Sequence, residues 1–238
     1  ICRPHKHTIL NFENIPKSMI MELNKLKTSL SILNEDYSYN LSSKNYSFRS
    51  NNISMSELPA PQLKGNKQLT NLAGCLRAIS LLQSKIPVTL NSIKNGIRDT
   101  KINGRLQILS KQPYILADVA HNYDATINLY NFFSTSKKSG KVYAVFSILE
   151  NKNTEQVLMP FADIVDEWFI SEIKDNRAQK IDVIINTLKK YNNKVVISKF
   201  NTLDKAYENA RNKSNLNDNI IIYGSFFAVS EIMKGIKI

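Results

Sequence analysis

Three shortages bound what this 238-residue sequence can do. Its two cysteines, Cys2 and Cys75, lie far apart with no paired spacing. That excludes a disulfide framework and a cysteine-built zinc site, and it points to a reducing compartment, the cytoplasm. No apolar run approaches the roughly 20 residues of a membrane span, and the amino terminus lacks the charged-then-apolar pattern of a signal peptide. The seven glycines never fall into G-x-x-x-x-G-K-S/T, whose clustered N–H groups wrap nucleotide phosphates, nor into the G-x-G-x-x-G of dinucleotide folds.

Charge is plentiful but unpatterned. Lys and Arg outnumber Asp and Glu by 32 to 20, a net charge of +12, yet the lysines are scattered and interleaved with acids. No stripe tracks a phosphate backbone, so nucleic acid is not the expected partner, and an anionic small molecule suits the charge equally well. The 42% hydrophobic content supports a real core, in one large domain or two modest ones.

The chemistry-bearing stretch is Ile115 to Phe133, ILADVAHNYDATINLYNFF. Ile115, Leu116 and Ala117 read as a buried strand. Ala125, Leu129, Phe132 and Phe133 recur at i, i+4, i+7 and i+8, one face of a helix. Between them stand Asp118, His121 and Asn122, at a strand's carboxyl end, where open α/β sheets collect ligands against the free N–H groups of the next helix. The residues alone leave two readings open. Either this is a binding edge, or Asn122 or Asp124 caps the helix, Asp118 is a satisfied turn residue and His121 lies on the surface.

Upstream, Thr8 to Leu10 reads as a strand and Pro16 to Leu26 as a helix opened by proline, with Ile20, Leu23 and Leu26 inward. After Leu30 to Leu33, Tyr37, Tyr39, Tyr46 and Phe48 alternate as in a small antiparallel region. His5 and His7 form an H-x-H pair without an acidic or cysteine partner, a surface pair ahead of a metal site. Leu72, Cys75, Leu76, Ile79 and Leu82 make a helical stripe expected in the core. Pro87 to Asp99 suggests a helix capped by Thr89, with Ile93 and Ile97 inward, and Asn103-Gly104 marks a domain boundary.

Beyond it, a short apolar strand followed by an amphipathic helix recurs. The candidate strands are Val142 to Ile148, Trp168 to Ser171, Val195 to Ser198 and Ile220 to Tyr223. The best-defined helices carry Ile181, Ile184, Ile185 and Leu188; Leu203, Ala206, Tyr207 and Ala210; and Val229, Ile232, Met233 and Ile236. This alternation predicts an α/β fold, a Rossmann-like, mainly parallel, doubly wound sheet with flanking helices.

Gly104-Arg105-Leu106-Gln107 followed by Asp118-Val119-Ala120-His121-Asn122 resembles the paired G-R-F-Q and D-V-A-H-N or D-G-A-H-N motifs of folylpolyglutamate synthases and bacterial dihydrofolate synthases, within the Mur ligase superfamily. The opening ICRP resembles that family's I-F-R-P, and the segment from Leu58 to Ala73 resembles its L-P-x-P…G-x-x-Q-x-x-N-x-A. Ser147 to Asn153, SILENKN, resembles G-M-L-x-D-K-D, with Lys152 retained and both flanking Asp replaced by Asn. The same stretch also reads as a solvated loop ending in Asn153 as helix cap, with Gln156 as capping-box partner. Asn176-Arg177-Ala178 resembles P-R-A, and Gly224-Ser225-Phe226 resembles G-S-F or G-S-L. Two departures stand out: Asn103 replaces the family's proline before Gly-Arg, and Phe227 stands where Tyr or His is usual.

The resemblance implies an ATP-dependent ligase joining the amino group of L-glutamate to a carboxylate of dihydropteroate or a (tetrahydro)folate through an acyl phosphate. It implies that Asn71 contacts ATP through the adenine, that Arg105 meets the ATP phosphates from an interdomain hinge, and that Asp118 holds ribose hydroxyls or orients the nucleotide. His121 meets the phosphate or the incoming amino acid. Arg177 meets a substrate carboxylate or is an ordinary surface arginine, and Ser225 caps the last helix while contacting an anion. The P-loop and the Mg2+ ligands belong to a part ahead of Ile1, so no metal ligand is expected here. Residues 1–103 then read as the remnant of a P-loop ATPase domain and 104–238 as a Mur ligase-type C-terminal domain. Opening on Ile1 within ICRPHKHTIL, the chain reads as an N-terminally truncated portion, inactive alone, of a cytoplasmic enzyme that is monomeric at full length. Rival readings are another Mur-type amide ligase, a non-catalytic α/β binding module and a basic nucleic-acid binder.

Overall fold

The computed structural model describes residues 2–235 apart from 44 and 52. The Ile236 position expected on the last helical stripe lies outside the described residues. Two compact units are present, Ile1–Lys101 and Ile102–Ile238.

In the first unit, β1 (His7–Leu10), α1 (Lys17–Lys25) and β2 (Ser29–Ile32) form a β-α-β element whose strands pair in parallel. Pro16 precedes α1 with φ −59°, a value its ring already imposes. Leu23 is the buried residue of α1, with Ile20 and Leu26 half-buried. An antiparallel sheet of β3 (Tyr37–Ser42), β4 (Asn45–Ser50) and β5 (Ile53–Pro59) follows. Strand alternation turns Tyr37, Tyr46 and Phe48 toward α2 (Asn66–Leu82) and α3 (Leu90–Asp99), where Leu76, Ile93 and Ile97 complete a core. Thr89 caps α3, its Oγ1 accepting the Ser92 N–H at 3.1 Å.

The expected α2 stripe needs correction, because Cys75 and Leu82 are exposed. The inward row runs through Leu69, Leu72, Ala73, Leu76 and Ile79. Ala73, too small to mark a stripe by bulk, lies at its centre, whereas Cys75 sits about 100° around the helix from Leu76. Leu82 is the last helical residue.

The second unit contains β6 (Gln107–Lys111), β7 (Tyr114–Ala117), α4 (Tyr123–Ser136), β8 (Val142–Phe146), α5 (Thr154–Leu158), β9 (Glu167–Ile170), α6 (Ile181–Tyr191), β10 (Val196–Lys199), α7 (Leu203–Lys213), β11 (Asn219–Tyr223) and α8 (Phe226–Gly235). The sheet order is β10-β9-β8-β11-β7-β6, parallel except for β6, which runs antiparallel to β7 with a register shift between Ile108 and Ser110. Leu129 and Phe133 of α4, Val157 and Leu158 of α5, and Ile184 and Leu188 of α6 cover one face together with Phe146, Trp168 and Tyr223. Leu203, Ala206 and Ala210 of α7 and Val229 and Ile232 of α8 cover the other. Burial on both faces is why the central strands read as unbroken apolar runs, VYAVF and NIIIY.

The helices leaving β7 and β8 pack on one face and the helix leaving β11 on the other. Because β11 lies between β7 and β8, its carboxyl end is a topological switch point, where an open α/β sheet forms a crevice.

Candidate functional site at the carboxyl edge of the sheet

At this edge the chain leaves β7 into Asp118 and β11 into Gly224. Backbone bonds continue the ladder past both strands, Asp118 N–H to Ile222 O at 2.9 Å and Gly224 N–H to Ala120 O at 3.0 Å. Gly224 has φ +113°, and a Cβ there would lie 2.4 Å from the Ser147 carbonyl oxygen and 2.7 Å from the Phe146 ring. Only glycine lets the ends of β8 and β11 approach this closely.

Asp118 is 4% exposed. Its Oδ2 accepts the Leu106 N–H and its Oδ1 the Ala120 N–H, each at 2.8 Å. Burial pushes its carboxyl pKa up, opposed by those two amides and by the nearby Arg105 and His121. Leu106, itself buried, has φ +42°, a left-handed value that costs a branched residue on the order of 1–3 kcal/mol. Two further bonds close the segment, Gly104 N–H to Gln107 Oε1 and Val119 N–H to Gly104 O, both 2.8 Å. The two motif stretches are thus knitted into one structure, from which Arg105 projects exposed.

His121 is half-buried, and its Nδ1–H donates to the Val119 carbonyl at 2.7 Å. In the neutral ring that bond leaves Nε2 as the acceptor. Asn122 is the cap of α4, its Oδ1 accepting the Ala125 N–H at 2.9 Å. Ser225 caps α8 in the same way, its buried Oγ accepting the Ala228 N–H at 2.9 Å.

Past β8 and β9 the two loops are fastened together. Leu149 and Ala178 form a bridge, and the Glu150 N–H donates to Arg177 O at 2.8 Å. Arg177 is exposed, forked onto Asp175, and lies 5.7 Å over the Phe227 ring. The guanidinium therefore reaches the helix that Ser225 opens. The side-chain hydroxyl of Ser147 is fully buried without a hydrogen-bond partner. Asn153 caps α5, accepting the Gln156 N–H at 3.1 Å.

The second unit thus gathers Arg105, Asp118, His121, Ser225 and Arg177 along one edge of its sheet. Asn71 belongs to the first unit, where it is exposed on α2 and donates to Gln68 Oε1 at 3.2 Å. In the same unit His7 Nε2 lies 2.8 Å from Ser31 Oγ, which also accepts from Arg77 Nε. Among the described residues, no group of three His, Cys, Asp or Glu side chains is placed to hold a metal ion. Two participants escaped the residue patterns. Asp175 had only its closeness to Arg177 as a signal, and Leu106, though part of the Gly104–Gln107 motif, had none for its left-handed backbone.

Residues 104–226 match the family described as Mur ligase, glutamate ligase domain. The chain is 31% identical over 234 residues to a protein named dihydrofolate synthase/folylpolyglutamate synthase from Buchnera aphidicola subsp. Baizongia pistaciae, covering 98% of this chain and 53% of that protein. The protein of the same name from Escherichia coli K12 is 26% identical, with 98% and 53% covered. Among solved structures, E. coli FolC in complex with DHPP and ADP superposes with a TM-score of 0.82 at 24% identity, over 98% of this chain and 53% of that one. The bifunctional folylpolyglutamate synthase/dihydrofolate synthase from Yersinia pestis, complexed with AMPPNP and Mn ion, gives 0.79 at 24%, with the same coverage. At that identity the likeness establishes the fold. The chain spans about half the length of the curated relatives it matches.

Proposed function

Because the chain belongs to the Mur ligase family through its glutamate ligase domain, we propose that it is the amino-acid-receiving part of an ATP-dependent ligase joining L-glutamate to dihydropteroate or a folate. The observation that carries this reading is the knitting of Gly104–Gln107 to Asp118–Ala120 at the switch point, which presents an exposed guanidinium and an unengaged imidazole nitrogen on a rigid base.

In this reaction ATP is a co-substrate that phosphorylates the acceptor carboxylate, and the amine of glutamate then attacks the acyl phosphate as phosphate leaves. The work left to the protein is positioning and charge neutralisation. Arg105 meets phosphate oxygens with its planar fork. His121 Nε2, facing away from the Nδ1 bond, accepts from the attacking amino group. The free N–H groups opening α8 beside Ser225 and the uncommitted nitrogen of Arg177 receive carboxylates of the amino acid. Asn71 offers its carboxamide to a base edge.

Among the described residues, no cluster of three His, Cys, Asp or Glu side chains could hold magnesium. The phosphate cradle and the metal ligands come, in this reading, from a segment or subunit outside these 238 residues. With that portion the ligase acts in the cytoplasm as a monomer, residues 1–103 completing its ATPase domain.

The test supplies the chain, alone and mixed with the amino-terminal half of the E. coli relative, with ATP, Mg2+, radiolabelled L-glutamate and, in separate reactions, dihydropteroate, tetrahydrofolate or a muramyl peptide. Label transfer matched by ADP release in the complemented mixture supports the proposal. Absence of transfer there, or transfer only to a muramyl peptide, overturns it.

A further inference from the structure

We propose that Asn103 is a modification site, a residue that loses its carboxamide nitrogen spontaneously through attack by the Gly104 backbone nitrogen, at a rate that the Gln107 side chain holds down. The chemistry is deamidation. It needs only water and stands independently of the ligase reading.

The sequence holds two Asn-Gly pairs, Asn95-Gly96 and Asn103-Gly104. Such pairs are the most open to this reaction, since a glycine has no side chain to obstruct attack by its nitrogen on the preceding carboxamide carbon. The backbone separates their fates. Asn95 lies inside α3, where a side chain leans toward the helix's amino terminus, away from the nitrogen of the next residue. Asn103 lies in a turn and is exposed, and no hydrogen bond engages its carboxamide among the described residues. It also stands where the resembled motif has proline, a residue with no side-chain amide to lose.

In the reaction the Gly104 nitrogen gives up its proton and bonds to Asn103 Cγ. The bond from Cγ to Nδ2 breaks, and ammonia leaves with a proton drawn from water. Water then opens the cyclic succinimide at either carbonyl, leaving aspartate or, with the chain rerouted through the side chain, iso-aspartate. No electrons are transferred. Either product places a carboxylate two residues before Arg105 and lowers the net charge of +12 by one.

Gln107 opposes the first step. Its Oε1 accepts the Gly104 N–H at 2.8 Å, so the proton that must leave is engaged. The Val119 N–H holds Gly104 O, also at 2.8 Å, and together the two bonds tether the glycine whose nitrogen must turn against Cγ. Gly104 is buried, with φ +72°, and a Cβ there would lie 2.9 Å from Val119 Cγ1 and 3.0 Å from Val229 Cγ1. Attack therefore waits on local opening of this turn, a smaller event than unfolding.

The experiment ages the folded chain at mildly alkaline pH and follows the peptides containing Asn95 and Asn103 by mass spectrometry. Chain unfolded in guanidinium is the reference, and Gln107→Met and Gln107→Glu are aged beside the parent. Both asparagines should convert in the reference. In the folded parent Asn103 should convert more slowly than in the reference, and Asn95 should stay intact. Gln107→Met removes the acceptor and should raise the Asn103 rate several-fold, whereas Gln107→Glu keeps an acceptor and should leave it near the parent's.

No conversion at Asn103 in the folded parent, or equal conversion at the two positions, overturns the site. A folded rate equal to that of the reference, or one unmoved by Gln107→Met, overturns the part given to Gln107. Conversion of Asn95 in Gln107→Met would mark that variant as unfolded. Hydrogen exchange of the Gly104 amide in the parent then decides the point, slow exchange supporting the restraint and free exchange overturning it.

Discussion

Asp175 grips Arg177 by three hydrogen bonds, from the backbone N–H and Nε to Oδ1 at 2.9 Å each and from Nη2 to Oδ2 at 2.8 Å. The side-chain bonds from Arg177 are the main cause that lowers the Asp175 carboxyl pKa to about 2. A depressed carboxyl pKa contributes stability that is present above the ordinary aspartate range and is lost as pH falls through the folded value. The Asp175 carboxyl signal, followed by NMR, should therefore titrate near 2. In Arg177→Ala, which keeps the backbone N–H bond, it should rise toward the ordinary value of about 4 without fully reaching it. Because Arg177 is exposed and Asp175 only half-buried, the melting temperature should hardly respond. An ordinary midpoint in the unsubstituted protein would show that the fork does not persist in solution.

Gly224 and Gly96 make a controlled pair. Alanine at 224 forces a Cβ against the Ser147 carbonyl at φ +113°, whereas at Gly96, inside α3, nothing lies within 4 Å of the new methyl. Gly224→Ala should cost more than about 3 kcal/mol in urea unfolding. Gly96→Ala should raise stability by up to about 1 kcal/mol. Equal effects at the two positions would contradict the close approach of β8 and β11.

Ser147→Ala removes a fully buried hydroxyl that has no partner. A hydroxyl that makes no bond contributes only its desolvation penalty, so the alanine variant should match or exceed the parent by up to about 1 kcal/mol. Clear destabilisation in denaturant titrations would mean that the hydroxyl is engaged in solution.

Arg105→Ala should weaken nucleotide binding by the complemented protein by at least about tenfold, and Arg105→Lys should recover only part of it, because a point charge does not reproduce the planar fork. The folded stability of both variants should stay near the parent's, since the side chain is exposed. Isothermal titration with ATP distinguishes these outcomes, and full recovery by lysine would reduce the role of Arg105 to bulk charge.

The parallel strands were readable because sheets covered on both faces leave runs such as NIIIY with almost nothing else to be. β6, QILSK, was not, because its two apolar residues, Ile108 and Leu109, are flanked by polar ones and its place is set by pairing with β7 rather than by its own pattern. Cys75 misled because apolarity and helical spacing do not say where on the arc the packing partner stands. At the site, Arg105, Asp118, His121 and Ser225 were visible as residue types in motifs. What Asp118 touches was not, since it depends on a leucine turning left-handed, and leucine carries no signal for that state. The Asp175–Arg177 fork arises in a tight turn in which the Ala178 N–H returns to Asp175 O, and no helix or strand periodicity describes such a pair.

The six-stranded sheet ends in two strands with one unpaired side each, β6 and β10. Exposed Lys111 and a register shift mark the first, and exposed Lys194 and Lys199 flank or occupy the second, beside a Val196 that is 52% exposed. Open strand edges are templates on which further copies can stack, and lysines and irregular pairing are what discourage them. Three of the exposed lysines thus stand where they guard the two open edges. Replacing those lysines with neutral β-formers should raise the tendency of copies to pair edge to edge.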